Sequence, residues 1–383
     1  VIAVALVLLV GRSPRGHGHP MPATPPAPRQ APSTAAGPPA QPAPVGEQFG
    51  VNVNRLFNDR TYTVAQIDGQ LQALARTGAR LARSDALWEA AEPTPPVNGV
   101  HRYQWAFDDE IAGALAGHGL KWLPIIDYSA PWAQSIPGQD HSPPWVPADY
   151  AAYAAALAAR FGPRGSFWLA HPGLTPEPVQ TYEIWNEPDN GQFWAPAPDP
   201  SRYAELYRQA RNAITTVDPN ARVIVGGLTM PTTFLPAMLG ADPQLLGHID
   251  GVAVHPYGGP AVVLDKLRAD RAALVSLGLA AVPMYVTEFG WTTQPPGALN
   301  YVPAARRPAY ITRTLAALGH LDCGIAASLL YTWVTPARDV SNSQDWYGIN
   351  LPTGAGTPDT TAFTVGLQQA IEPAPPIRLC PGG

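Results

Sequence analysis

TYEIWNEPDN, residues 181–190, opens as a run of β-branched, aromatic and apolar side chains from Thr181 to Trp185, broken only by Glu183, and stops at Asn186 and Glu187, followed by Pro188, Asp189 and Asn190. A short run of that kind, ended by turn formers, reads as a strand passing into a loop. Downstream, Tyr203, Leu206, Tyr207, Ala210 and Ile214 recur at helical spacing before Asp218, Pro219 and Asn220 end the pattern. Strand, loop and helix make one βα unit, and its repetition decides the fold.

Strands are predicted at Phe49 to Val53, Arg80 to Arg83, Trp122 to Ile126, Thr181 to Trp185, Arg222 to Val225, Gly251 to Val254, Met284 to Thr287 and Ala326 to Tyr331. Helical stripes lie between them. Val64, Ile67, Leu71 and Leu74 form one, behind a capping box of Thr63 and Gln66, and Tyr150, Tyr153, Leu157 and Phe161 form another. Alternating units can close into a barrel or lie open as a doubly wound sheet. Gly226 and Gly227 lack the G-x-G-x-x-G phosphate cradle that would favour the open sheet. The expected fold class is therefore α/β, a single (β/α)8 TIM barrel over residues 46–383.

Composition excludes other classes. Charged residues are 14% of the chain, against about 25% in soluble proteins, and lysine occurs only at 121 and 266. A formal charge of −5 with no basic run gives no electrostatic reason to expect nucleic acid. The apolar run Val1 to Val10 has the length of a signal-peptide core, not the ~20 residues of a membrane helix. Residues 1–12 are expected to be a signal peptide or an N-terminal anchor, the only expected membrane contact. The rest is expected to be secreted or held on the outer face of the cell membrane. Residues 13–45, rich in Pro, Ala, Gly and Ser, read as an extended linker.

Cys323 and Cys380 are too few for a four-cysteine zinc site; in an exported chain they either pair and pin the C-terminal tail or remain thiols. His101, His118, His141, His171, His248 and His320 have no ligand-like spacing. No metal and no cofactor is expected, and the chain is expected to act as a monomer.

In a barrel, chemistry sits at the C-terminal ends of the strands. The fourth ends in EIWNEPDN and the seventh in VTEFGW, residues 286–291, so Glu187 and Glu288 both face the mouth. Cleaving a glycosidic bond takes such a pair, one carboxyl to protonate the leaving oxygen and one carboxylate to attack or to activate water. A gap of about 5 Å implies retention and ~6.5 Å or more implies inversion.

Asn186-Glu187-Pro188 and Thr287-Glu288-Phe289-Gly290 resemble the two signatures of the large clan of retaining glycosidases, with the acid/base ending strand four and the nucleophile ending strand seven. The phrasing around them is most similar to bacterial family 39 and its endo-acting relatives, with family 5 next, and the resemblance runs from Phe49 to Ala370. It implies that Glu187 is the acid/base and Glu288 the nucleophile. It further implies that Arg83, closing strand two, keeps the nucleophile ionised, and that Asn186 binds the sugar 2-hydroxyl. His255 and Tyr257 resemble the clan's His-x-Tyr pair, the tyrosine orienting Glu288, and Trp333 resembles the tryptophan that floors the sugar at the point of cleavage. Trp88, Glu92, Pro93, Tyr103, Trp105 and Asp108 echo the second βα loop of these enzymes.

Beside the resemblance, Trp132, Trp145, Trp194, Trp291 and Trp346 fall in loops after strands and offer rings to the C–H faces of sugars. Asp127, Tyr128, Asp189 and Asn190 could bind hydroxyls. The expected partner is a carbohydrate, and the expected activity is endo-acting hydrolysis of β-glycosidic bonds with retention. An exo-acting β-xylosidase-like enzyme and a non-catalytic carbohydrate-binding barrel stay open as alternatives; binding alone would not need both carboxylates.

Overall fold

The computed structural model describes residues 48–381, and the expected leader (1–12) and linker (13–45) lie outside the described residues. Eight strands, β1 (Phe49–Asn52), β2 (Leu81–Leu87), β3 (Lys121–Asp127), β4 (Thr181–Asn186), β5 (Arg222–Leu228), β6 (Val252–Val254), β7 (Met284–Phe289) and β8 (Ile325–Leu330), close into a barrel. Neighbours are parallel throughout, and β1 pairs with both β2 and β8. One long helix follows each strand: α1 (Val64–Arg76), α2 (Ala106–Gly117), α3 (Pro147–Phe161), α4 (Pro200–Val217), α5 (Pro231–Ala241), α6 (Pro260–Ser276), α7 (Arg307–Leu318) and α8 (Pro358–Ile371). The TIM barrel is as the alternation predicts.

Local signals fix the helix starts. Thr63 caps α1 and Gln66 returns the bond, as the capping box requires. Six of the eight helices, α3 to α8, carry proline in the first turn, where a missing N–H costs nothing. Strand β2 differs from expectation. Ser84 and Asp85 break the apolar run, but their backbone continues pairing with β3 to Leu87↔Asp127. Arg83 therefore sits in mid-strand, below the mouth, and not at the strand's end.

The barrel interior is filled by Leu123, Ile224, Ala253, Tyr285, Ala327 and Leu329, and a larger apolar layer lies outside, between strands and helices. Polar side chains occupy the interior above that plug. The seam between the first and last units is latched by Gln70 of α1. Its Oε1 accepts from Trp333 Nε1 at 2.8 Å and Asn350 Nδ2 at 2.9 Å, and its Nε2 donates to Leu351 O at 2.8 Å. Among the described residues no helix is long and apolar enough to cross a membrane.

Cys323 and Cys380 form a disulfide across 57 residues of sequence. It ties the C-terminal tail to the start of β8, and Asp322 Oδ1 accepts from the N–H groups of Leu379 and Cys380 beside it. Closing a loop of that size restricts the unfolded chain. The double replacement by serine is expected to lower the unfolding free energy by about 2–4 kcal/mol in urea titrations.

Candidate active site

The mouth is built on the stretch from Glu183 to Asn190. Side chains on a regular strand alternate, so neighbours such as Asn186 and Glu187 would face opposite ways. Here Trp185 and Glu187 take positive φ values of 66° and 45°. Left-handed backbone at residues other than glycine costs on the order of 1–3 kcal/mol each, and it lets adjacent side chains serve one site. On β5, a Cβ at Gly227 would fall 2.0 Å from His255 Nε2, so only glycine leaves room for that ring.

Arg83, fully buried, organises the floor. Its Nε and Nη2 donate to the two oxygens of Glu183 at 2.8 and 2.9 Å, and its Nη1 donates to Glu288 Oε1 at 2.7 Å. Nη1 also reaches Asn52 Oδ1 at 2.8 Å, and Nη2 reaches Asn186 Oδ1 at 3.0 Å. Tyr257 donates its hydroxyl to Glu288 Oε2 at 2.6 Å. Burial pushes the Glu288 carboxyl up, but the charges of His255 and Arg83 and the bonds from Tyr257 and Arg83 outweigh it and hold the group below the usual carboxylate range.

Glu187 Oε2 accepts from Asn190 Nδ2 at 2.7 Å, and its Oε1 lies 2.8 Å from His255 Nδ1. His255 also stands 3.7 Å from Glu288 through the same nitrogen. Burial pulls the imidazole down, yet the charge of Glu288 and the contact with Glu187 raise its pKa overall. One oxygen from each catalytic candidate and one His255 nitrogen lie within 4.8 Å of one another. By distance these three could bracket a cation, but Glu288 is already spanned by Arg83 and Tyr257, so they are not read as ligands. In the other trio, Asp322, Cys323 and Cys380, the two sulfurs are bonded to each other and offer no thiolate.

The remaining expected site residues divide. Asp127 ends β3 wholly buried, with neither oxygen hydrogen-bonded. Burial first, then the nearby charge of Asp85, raises its pKa well above the ordinary value. Tyr128 packs its ring on His141 and Trp185. Trp132, in the loop after β3, donates to Glu92 O at 2.8 Å and meets Trp88 edge-on, so it packs against the second βα loop.

Three tryptophans correct the expectation of sugar platforms. Trp194 (1% exposed), Trp291 (3%) and Trp333 (0%) are core residues. Trp291 gives its indole N–H to Gly258 O, and Trp333 gives its own to Gln70. Because β8 ends at Leu330, the chain beyond it no longer alternates, and Trp333 turns outward against α1. Tyr331, two residues earlier, lies beside the site: its ring is 5.3 Å from Tyr347, and the charge of Glu288 reaches it.

Sequence reasoning passed over Asn52, Glu183, Thr287 and Tyr331. Glu183 carried a signal, since a charged side chain that alternation aims into a barrel needs a buried partner.

No protein-family model and no curated protein matches the chain. Solved structures do match its fold. A family 39 glycoside hydrolase from the gut symbiont Bacteroides cellulosilyticus aligns with TM-score 0.64 and 18% identity, over 86% of this chain and 65% of that one. A monomeric β-xylosidase from Caulobacter crescentus aligns with TM-score 0.66 and 20% identity, over 84% and 68%. A family 5 enzyme from Bifidobacterium longum, in complex with Manβ1-4GlcNAc, gives TM-score 0.62 and 11% identity, over 86% and 80%. The chain thus spans about two thirds of the length of the first two. It is a (β/α)8 barrel of the same fold as these family 39 and family 5 glycoside hydrolases.

Proposed function

We propose that the protein is a retaining β-glycosidase in which Glu288 is the nucleophile and Glu187 the acid/base. The observation that carries this reading is the spacing of the two carboxyl groups, oxygen to oxygen within 4.8 Å. Retaining enzymes hold them about 5–5.5 Å apart and inverting enzymes leave room for a water at ~6.5–9.5 Å. Glu288, held ionised by Arg83 and Tyr257, attacks the anomeric carbon while Glu187 passes a proton to the leaving oxygen. The Arg83 contact to Oδ1 of Asn186 leaves the amide NH2 as its donor end, suited to the sugar 2-hydroxyl. In the second step Glu187 takes a proton from water, which displaces the sugar from Glu288.

The test is the anomer first released from an aryl β-glycoside, followed by proton NMR. The β-anomer is expected, and the α-anomer would end the proposal. The same substrate gives a pH dependence: with Glu288 depressed, the acid limb of kcat/KM is expected below about pH 4.3, the ordinary glutamate value. A limb above that value would contradict the Arg83 contact.

Endo action on a polysaccharide loses two of its five loop platforms, Trp194 and Trp291, to the core, and Trp145, 68% exposed on the loop after β3, supports it. Sizing the first products of a polysaccharide digest separates internal cuts, which give oligosaccharide mixtures, from release of single sugars. The disulfide supports action in an oxidising compartment outside the cytoplasm.

A further inference from the structure

The two nitrogens of His255 face different neighbours. Nδ1 meets Glu187 Oε1 at 2.8 Å, and Nε2 meets Thr287 Oγ1 at 3.1 Å. The Thr287 hydroxyl donates in turn to Glu183 Oε1 at 3.4 Å. Glu183 receives Arg83 on both oxygens and the Gly227 N–H on Oε1, all of them donors, so it is ionised and can only accept. A hydroxyl has one proton. Given to Glu183, it leaves Thr287 Oγ1 as an acceptor towards the ring, and Nε2 has to carry a hydrogen.

We propose that Glu183 and Thr287 are positioning residues that fix a proton on Nε2 of His255 and so keep the acid's proton shared between Glu187 and Nδ1. This rests on the reading of Glu187 as acid/base. With Nε2 always protonated, the pair holds two protons at rest: a neutral ring accepting from Glu187, or a charged ring donating to it. Losing one would set the bare Nδ1 lone pair against a carboxylate. The pair therefore keeps its proton until the leaving oxygen takes it, and water returns one in the second step. Without the threonine hydroxyl the ring can change tautomer, Nδ1–H then donates to an ionised Glu187, and the pair rests with one proton.

The charged and titratable groups around the pair are Glu288 on β7, Arg83 on β2, Tyr128 after β3, Glu183 on β4, Asp189 after β4 and Tyr257 after β6. Thr287→Val removes one hydroxyl and leaves them all in place. In this variant the basic limb of kcat/KM is expected to move down by about one pH unit. The loss on an alkyl glycoside, whose leaving oxygen needs a proton, should exceed the loss on a dinitrophenyl glycoside by roughly tenfold or more. Thr287→Ser should restore both. Equal losses on the two substrates, an unmoved limb, or no rescue by serine overturns the proposal. Nitrogen-15 NMR of the imidazole needs no turnover. It should show Nε2–H in the unaltered protein and Nδ1–H in Thr287→Val where the ring is neutral. An Nδ1–H ring in the unaltered protein overturns the proposal even if the enzyme hydrolyses glycosides. An Nε2–H ring in a protein that hydrolyses none sinks the reading of the site and leaves the hydrogen-bond chain standing.

Discussion

Glu288→Ala is expected to cut turnover of an aryl glycoside by about 10⁴-fold or more, because removing a nucleophile leaves only binding and the remaining electrostatics. Affinity for the sugar should persist, since Arg83 keeps its bidentate partner Glu183 and the floor stays assembled. The cavity left by the carboxylate admits a small anion. Azide should therefore restore turnover and yield the glycosyl azide of inverted configuration, with Glu187 still supplying the proton. Calorimetric titration with a product sugar separates the outcomes. Lost turnover with retained binding fits a nucleophile, and retained turnover would remove Glu288 from the chemistry.

Arg83→Met has the largest expected effect on stability. Glu183 and Glu288 both depend on this guanidinium, with side-chain exposures of 0% and 10%. Breaking a buried ion pair by removing one partner costs about 3–5 kcal/mol, and here one cation serves two carboxylates. The pH dependence carries the signature. In the unaltered protein Glu288 titrates below its unfolded value, so its contribution is whole at neutral pH and is lost as pH falls through the lower folded value. In the variant Glu288 loses its cation while it stays buried, and its folded value rises. The sign reverses, and mild acid restores stability by neutralising that carboxylate. A melting series from about pH 7 to pH 5 should show the midpoint of Arg83→Met rising while that of the unaltered protein does not. Parallel curves would mean that Arg83 carries no such charge balance.

Much of this was legible in the sequence because it is local. Strand runs, helical stripes and the capping box at Thr63 and Gln66 need only a few neighbouring residues, and they gave all eight strands and three of the helices between them. Glu187 and Glu288 stood out for the same reason, each closing a strand. What was missed depends on backbone beyond the regular elements. Tyr331 and Trp333 are two residues apart, and which of them faces the mouth is settled by how the chain leaves β8. Glu183 lay inside the very stretch that decided the fold, but its role needs Arg83, a hundred positions earlier, and the register that sets Ile125 of β3 beside it. Trp194 and Trp291 are packed in the core rather than offered as platforms because a large ring with one N–H is equally suited to packing between loop and helix.

The Gln70 latch has a consequence for the order in which the chain folds. Gln70 leaves the ribosome early, while Trp333, Asn350 and Leu351, which satisfy it, emerge some 260 to 280 residues later. Until then α1 carries an amide with no partner, and β1 lacks its β8 neighbour. Contacts so distant in sequence close late and slowly. Nascent chains cut before about residue 350 should therefore stay open to proteolysis near α1, and protection should appear only once Asn350 and Leu351 have left the tunnel.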